Sequence, residues 1–392
     1  MCTEARLLAA LALILFAQPA FAQSPSVRVG VWNIEVLSKS GKRGFPELRG
    51  SAALGPRSDQ DLKDIADYLK DKIKVDALMV TEIEADAATS TANQPQSEQL
   101  DKICGHLRGN WRYFLGRTGG KMRLGLLFNG DRIQLKKLVN LQADPFFVSG
   151  KDVYDRDPFI VWINVLDGGV AKNDLLVACL HLKSQQGPYR HNRMAAVAKL
   201  LGDLTDKEVR RALTLPSSGE EPQVLILGDC NDSSHQEAGF KFMFDYLNGV
   251  GFQHVVPASG PYPRTRINKS QIDHIFASQG ALDGMVANSF AVHTVANTPA
   301  ANAAYRKVFS DHFPVTVDMK IEEDDDASLR QILAMQDAQR RGVLLARRTE
   351  ELRELVADEE LSDDEDVGPI TVQAEIIDDN FERVLAPRVA PQ

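Results

Sequence analysis

The sequence predicts a domain of the α/β class, in which sheets and helices pack in layers. Short apolar runs between residues 27 and 319 have the length and the branched or aromatic composition of buried β-strands. Two other segments, 61–72 and 193–204, carry apolar residues at helical spacing. This mixture indicates two layers of sheet, or helices over a sheet. In chain order, the strand-like runs are VRVGVW, ALMVTEI, LGLLF, FIVWINVL, LLVACLHL, VLILGD, IDHIFAS and FPVTVDM.

Composition and charge indicate a globular protein and are compatible with an anionic substrate. The chain has 392 residues, of which 44% are hydrophobic and 25% are charged. It can therefore bury a large core, and disorder throughout is excluded. The formal net charge is −9, but the acidic excess lies in residues 322–392, and residues 23–321 are mildly basic. An anionic substrate is therefore compatible with the low isoelectric point.

Residues 1–22 have the features of a secretory signal peptide. An apolar stretch is followed by Pro19 and the small-residue site Ala20-Phe21-Ala22, and we expect cleavage after Ala22. The mature protein is then exported, to the periplasm or out of the cell. No later apolar run reaches the length of a transmembrane segment. Three cysteines remain after cleavage, and the sequence leaves open whether two of them form a disulfide: Cys104, Cys179 and Cys230.

An acidic run that begins at residue 322 marks a domain boundary. We expect the main domain at 23–321 and an acidic, partly helical extension at 322–392. Within the extension, residues 329–356 have an amphipathic pattern, which predicts a helix that packs on the main domain. A helix that binds a partner, or that mediates self-association, is the alternative.

Carboxylate, amide and imidazole side chains occur where the predicted strands end or begin. Any one of them is compatible with a helix cap or a turn. Together they form a set of oxygen ligands with two histidines, which suits Mg²⁺, with Mn²⁺ or Ca²⁺ as substitutes. The set suits Zn²⁺ poorly, because it has no cysteine pair and no closely spaced histidine pair. Its members are Asn33, Glu35, Glu82, His181, Asp229, Asn231, Asp273, Asp311 and His312.

The order of these motifs resembles the endonuclease/exonuclease/phosphatase superfamily, whose fold is that of deoxyribonuclease I. The resemblance lies in WN, a strand that ends in Glu82, then HLKS, GDCND, IDHIF and SDHFPV. It implies a four-layer α/β sandwich of two mixed β-sheets face to face, with the site at one end. Two positions depart from the family pattern: Cys230 replaces the usual Phe, and Thr81 replaces a frequent Gln. Neither departure removes a ligand.

The resemblance also implies a metal site. Asn33 and Glu82 match the metal-binding pair of the family, and Asp311 matches a further metal ligand. Glu35 matches a position that is acidic in only some members. The cofactor that this similarity implies is Mg²⁺.

The same resemblance implies the catalytic residues. Asp229 would align or deprotonate the attacking water, and Asn231 would hold the phosphate or the nucleophile. His181 would donate to a phosphate oxygen or to the leaving group. His312 would contact the scissile phosphate, and Asp273 would fix its tautomer and orientation.

Two arginines in the loops are candidate substrate contacts. Arg156 and Arg193 lie in segments that resemble those of bacterial secreted nuclease-like members, and arginine binds phosphate bidentately. We therefore expect an exported, Mg²⁺-dependent nuclease or phosphodiesterase that uses activated water to hydrolyse phosphodiester bonds of nucleic acid or a related substrate.

Three alternatives remain at this stage. Two are enzymes of the same superfamily, a phosphomonoesterase and a phospholipid hydrolase of the sphingomyelinase type. The third is an inactive scaffold that binds a partner through its C-terminal helix. The complete ligand set argues against the scaffold, because a protein without catalytic function has no need to retain both Asp229 and His312.

Overall fold

A computed structural model describes most of the main domain. The signal peptide, Arg193 and the predicted helix at 329–356 lie outside the described residues, as does the predicted helix at 193–204 except for Leu200. Segments 140–143, 147–148, 151–152 and 372–376 are described by their backbone. The described residues are 25–39, 54–87, 89–91, 94–120, 122–143, 147–148, 151–152, 156–182, 200, 215, 223–232, 247, 249, 251–267, 270–322 and 372–376.

The described chain forms two mixed β-sheets. The six-stranded sheet has the order β13 (Ala291–Val292), β14 (Val315–Lys320), β1 (Ser26–Leu37), β2 (Ala77–Ile83), β4 (Arg123–Asn129), β3 (Trp111–Leu115). The seven-stranded sheet has the order β11 (Phe252–His254), β12 (Asp273–Ser278), β10 (Val224–Asp229), β9 (Val170–His181), β8 (Phe159–Asp167), β5 (Ile133–Ala143), β15 (Val372–Ile376). A short hairpin pairs β6 (Phe147–Val148) with β7 (Lys151–Asp152).

Each sheet has one parallel pair at its centre. In the first sheet β1 runs parallel to β2, and in the second β9 runs parallel to β10, whereas the flanking strands are antiparallel. The carboxyl ends of these four strands therefore lie at one edge, where β14 and β12 begin. In the register, Asp229 lies opposite both His181 and Asp273. The topology thus brings residues from six strands to a single edge.

Alternate side chains of the central strands fill the space between the sheets. Val29 and Val31 of β1 belong to the same buried cluster as Leu225 and Leu227 of β10 and Val177 of β9. Each of these five side chains is at most 1% exposed. The predicted arrangement of two mixed sheets face to face is confirmed.

The other face of the first sheet packs against two helices. These are α1 (Asp59–Asp67), which continues as a π-helical segment (Tyr68–Ile73), and α2 (Glu98–Leu107). Ser58 caps α1 in a capping box with Asp61. This layer buries Trp32, Ile34, Leu78, Leu62, Ile65 and Ile103.

Two further helices follow β12 in the chain. They are α3 (Gln279–Asp283) and α4 (Pro299–Val308), and α4 begins with a Thr298 cap and a proline in its first turn. None of the described helices has both the length and the apolar composition required to cross a membrane. The predicted strands are all present. The structure adds elements that the apolar pattern did not identify, namely β3, β5, β6, β7, β11, β13, β15, α2, α3 and α4. Cys104, Cys179 and Cys230 are free thiols.

Gly228 allows β9 and β10 to approach each other at the edge where the polar residues meet. A Cβ atom at this position would lie 2.0 Å from the carbonyl oxygen of Leu180, far inside van der Waals contact. The glycine of the GDCND motif is therefore required by the strand packing. The contact is with backbone atoms, so a neighbouring rotamer change cannot relieve it.

We expect Gly228→Ala to lower the free energy of unfolding by about 2 kcal/mol or more, because the two strands must separate to admit the methyl group. Gly105→Ala in α2 is the matched control, since nothing lies within 4 Å of its Cβ position. The control should raise stability by about 0.5–1 kcal/mol through helix propensity. Urea unfolding of both variants measures the difference, and equal stabilities would contradict the proposed packing role.

Candidate active site

The strand ends that carry the polar residues have unusual backbone conformations. Glu35, Val36, Glu82 and Asn231 have φ values of 49°, 51°, 66° and 50°. Left-handed conformations are uncommon for residues other than glycine, and for the β-branched Val36 this φ is an outlier. Strain of this kind persists only where surrounding contacts enforce it, and it often marks functional sites.

Asn33 joins the two sheets at this edge. Its side-chain Nδ2 donates to Glu82 Oε1 at 3.0 Å and to Asp229 Oδ2 at 2.9 Å. Its Oδ1 accepts a hydrogen bond from the backbone N–H of Glu35 at 3.0 Å. Asn33 is only 1% exposed, so this buried amide links carboxylates from both sheets.

Asp229 lies at the centre of the polar cluster. Its Oδ1 accepts the backbone N–H of Asn231 at 2.9 Å. Its Oδ2 lies 3.6 Å from His181 Nε2 and 3.8 Å from His312 Nε2. Two imidazole nitrogens therefore converge on one carboxylate oxygen in a buried site.

His312 is oriented by Asp273. The Nδ1 atom of His312 lies 2.8 Å from Asp273 Oδ2, which directs Nε2 toward Asp229. Burial lowers the pKa of His312, but the carboxylates of Asp273, Asp311 and Asp229 outweigh it and raise the pKa to about 10. Asp273 is itself held by the Thr265 hydroxyl, which accepts its backbone N–H at 3.0 Å. Asp273 therefore fixes the orientation of His312, and the surrounding carboxylates favour its protonated form.

His181 has the opposite electrostatic character. Burial and, to a smaller extent, the nearby Arg156 guanidinium lower its pKa to about 3, against the opposing effect of Asp229. Its Nδ1 atom is buried and has no hydrogen-bond partner among the described residues. A neutral imidazole can donate one hydrogen bond, so His181 is suited to orient a ligand and poorly suited to store a proton.

The outer carboxylates are paired with two arginines. Glu35 Oε1 accepts from Arg306 Nε at 2.9 Å and from Nη2 at 2.5 Å. Asp311 Oδ2 accepts from Arg266 Nε at 2.8 Å and also from its Nη2. Neither arginine was predicted as a site residue, since Arg306 and Glu35 are far apart in the chain and no local motif links them.

The carboxylates at this edge fit a hard divalent cation. Burial raises the pKa of Glu82 to about 7; the hydrogen bond from Asn33 opposes this shift, and the charge of Asp311 adds to it. Glu35 Oε2 is buried and has no hydrogen-bond partner among the described residues. Carboxylates that repel one another in a buried site are the oxygen donors that Mg²⁺ binds.

A second grouping of possible ligands lies beside the first. Single atoms of Asp229, Asp273 and His312 all lie within 4.8 Å of one another. However, the Asp273 oxygen that faces His312 is already bonded to its Nδ1. Asn33, Glu35, Glu82 and Asp311 stay the predicted metal ligands.

Every predicted site residue in the described chain lies at this edge, and two of them serve partly structural roles. Asn231 Nδ2 donates to the Leu182 carbonyl at 2.7 Å, and Arg156 Nη1 donates to the His181 carbonyl at 3.3 Å. Arg193 lies outside the described residues. The sequence analysis also missed Ser310, whose hydroxyl donates to the Asn33 carbonyl at 2.6 Å. The catalytic and metal-binding roles of these residues stay predictions.

Comparison with known proteins gives matches at the level of structure. No protein-family model matches the chain, and no curated protein matches its sequence. Solved structures of endonuclease/exonuclease/phosphatase proteins do resemble it. One from Bacteroides vulgatus has 13% identity and a TM-score of 0.48, and the match covers 76% of this chain and 100% of that chain.

Two other solved structures show similar coverage. The catalytic domain of human Nocturnin, with a bound sulfate anion, has 15% identity and a TM-score of 0.47, and the match covers 76% of this chain and 96% of that chain. A mannosyl-6-phosphatase from Bacteroides thetaiotaomicron has 16% identity and a TM-score of 0.41, and the match covers 74% of this chain and 98% of that chain.

We expect Mg²⁺ to raise the melting temperature of the protein, because a cation would relieve the repulsion among the clustered carboxylates. Glu82→Gln should remove most of this shift. The matched control is Glu322→Gln, an exposed position just beyond the end of β14 away from the site. Thermal scans over a Mg²⁺ series measure the effect, and an equal shift in both variants would exclude Glu82 as a ligand.

Proposed function

We propose that the protein is a metal-dependent phosphoesterase that hydrolyses phosphodiester bonds of nucleic acid by direct attack of water. The observation that carries this proposal is the convergence of His181 Nε2 and His312 Nε2 on Asp229 Oδ2, at 3.6 and 3.8 Å. Phosphoryl transfer requires a base near the nucleophile and donors near the phosphoryl oxygens. This edge of the sheets supplies both within one hydrogen-bonded cluster.

Asp229 is the proposed base. Its Oδ1 is fixed by the backbone N–H of Asn231, and its Oδ2 faces the two histidines. As the water oxygen forms its bond to phosphorus, Oδ2 accepts the water proton. The bond between phosphorus and the leaving oxygen breaks, and that oxygen departs with the electron pair.

The two histidines have different proposed tasks. His312, held by Asp273, presents a charged N–H to a phosphoryl oxygen and stabilises the negative charge that develops there. His181, kept neutral by burial, donates a single hydrogen bond to a second phosphate oxygen or to the leaving group. Neither side chain has to move, because strand ends hold both of them.

The buried carboxylates have a separate proposed role. Asn33, Glu35, Glu82 and Asp311 would hold a divalent cation, of which Mg²⁺ is the expected one. When bound, the cation supplies Lewis-acid stabilisation of charge on the phosphoryl group. Arg266 and Arg306 would orient Asp311 and Glu35 through their hydrogen bonds.

Arginines beside the site favour a polymeric phosphodiester as substrate. Arg156 lies next to His181, and Arg266 and Arg306 lie beside Asp311 and Glu35, with which they are paired. A nucleic-acid backbone carries further phosphates on both sides of the bond to be cleaved, and Arg156 is the proposed contact to one of them. Export through the predicted signal peptide is part of this proposal, and it places the substrate outside the cytoplasm.

Substrate class is tested by one panel of assays. We expect Mg²⁺-dependent hydrolysis of plasmid DNA, RNA or a chromogenic phosphodiester, and loss of that activity with EDTA. Faster hydrolysis of a phosphomonoester or of sphingomyelin would favour the corresponding alternative enzyme. No hydrolysis of any substrate by the folded, metal-loaded protein would favour the scaffold.

We expect Asp229→Asn and His312→Gln each to lower kcat by about 10²–10³-fold, as the loss of one transition-state contact typically does. The matched controls are Asp318→Asn and His293→Gln, two residues whose hydrogen bonds lie outside the site. The kcat of each control variant should stay within about threefold of the wild-type value.

The double variant at 229 and 312 adds a second criterion. Because both side chains act on one transition state, the fold-decrease in kcat of the double variant should be far smaller than the product of the two single fold-decreases. Steady-state kinetics on the chromogenic diester measure all five variants. Full additivity, or similar losses in the controls, would contradict the shared catalytic role.

A further inference from the structure

Arg57 is a buried arginine that the proposed chemistry does not use. It lies just before α1 and is 5% exposed, so it cannot contact a substrate in solution. Its guanidinium donates to several backbone carbonyls. Nε donates to Val308 at 3.1 Å, and Nη2 donates to Ile34 at 2.5 Å and also to Phe309.

The same guanidinium also binds the two carbonyls that follow Ile34 in the chain. Its Nη1 lies 3.4 Å from the Glu35 carbonyl and 3.3 Å from the Val36 carbonyl. Arg57 thus joins residues 34–36, at the end of β1, to residues 308–309, at the end of α4. The first segment carries Glu35, and the second leads directly into Asp311 and His312.

The carbonyls of the first segment need this partner because of a local irregularity. The pairing of β1 with β2 shifts register between Asn33 and Leu37. Glu35 and Val36 have left-handed φ values there, so the segment leaves the regular hydrogen-bond ladder. Buried carbonyls that leave a ladder require other donors.

The irregular segment places two groups of the proposed metal site. Glu35 projects its carboxylate toward Arg306, and the backbone N–H of Val36 donates to Glu82 Oε2 at 3.1 Å. If the segment relaxed to an ordinary strand, Glu35 would turn away and Glu82 would lose this donor. The conformation is strained at Val36, so it persists only while contacts such as those of Arg57 maintain it.

We infer that Arg57 is a positioning residue, which holds the Glu35–Val36 segment and the segment before Asp311 in the geometry of the metal and phosphate site. This inference rests on the proposed function for its kinetic consequence. A planar guanidinium with five N–H donors can reach carbonyls of both segments, whereas a lysine ammonium with three donors keeps only the charge. The substitution Arg57→Lys therefore separates geometry from charge.

The test compares Arg57→Lys with Arg28→Lys. Arg28 lies at the opposite end of β1, where it donates to Asp318 and to the Ile73 carbonyl. We expect Arg57→Lys to lower kcat on a chromogenic diester by about 10–100-fold with little change in KM, and to weaken Mn²⁺ binding about tenfold. Arg28→Lys should leave kcat and the Mn²⁺ affinity within about twofold of the wild-type values.

A rescue experiment distinguishes positioning from general stability. Glycine adopts φ near 51° without strain, so adding Val36→Gly to Arg57→Lys should recover kcat several-fold. The same addition to Arg28→Lys should give no gain. A purely structural role of Arg57 predicts that Val36→Gly lowers stability further in both backgrounds and restores activity in neither.

Mn²⁺ titration followed by electron paramagnetic resonance keeps this test independent of the substrate. If the wild type binds Mn²⁺ but hydrolyses no phosphodiester, the proposed function fails while the Mn²⁺ affinities still decide the role of Arg57. Equal affinity and turnover in Arg57→Lys and Arg28→Lys would overturn the inference. Arg57→Gln replaces Arg57→Lys if the latter does not fold, and failure of both to fold would make Arg57 a residue of global stability and also overturn it.

Discussion

Each sheet has two parallel strands side by side at its centre, and the rest of the site depends on this pairing. Parallel neighbours end at the same edge, so β1, β2, β9 and β10 bring their carboxyl ends together. The antiparallel strands β12 and β14 then begin at that edge. Because the two sheets pack face to face through a shared apolar core, Asn33 of one sheet can hydrogen-bond Asp229 of the other.

The same pairing creates an electrostatic problem at the edge. Five acidic side chains meet there with little access to water, and burial alone would favour their neutral forms. The protein offsets this with His312, Arg266 and Arg306, each of which contacts a particular carboxylate. The negative charge that remains would suit a divalent cation, as the proposed function requires.

The backbone is strained where the chemistry is expected. Regular strands would point successive side chains to alternating faces, and Glu35, Glu82 and Asn231 depart from that regular geometry at the strand ends. The left-handed residues at these strand ends redirect the side chains, and their cost is met by the packing of the two sheets and by contacts such as those of Arg57. Gly228 keeps the neighbouring strands regular, since its lack of a side chain lets β9 and β10 pair closely up to Asp229.

The sequence by itself determined the fold class, the central strands and the polar residues at their ends, because a buried strand is a short apolar run and its end is a change in chemistry along the chain. It did not identify β3, β5, α2 or α4, whose apolar residues are more dispersed. Only the tertiary structure decided that Arg266 and Arg306 pair with carboxylates of the site and that Arg57 binds the segment that carries Glu35. It also decided that burial and neighbouring charges shift the pKa values of His181 and His312 in opposite directions. These properties depend on contacts between residues far apart in the chain and on burial, neither of which is written in any local pattern.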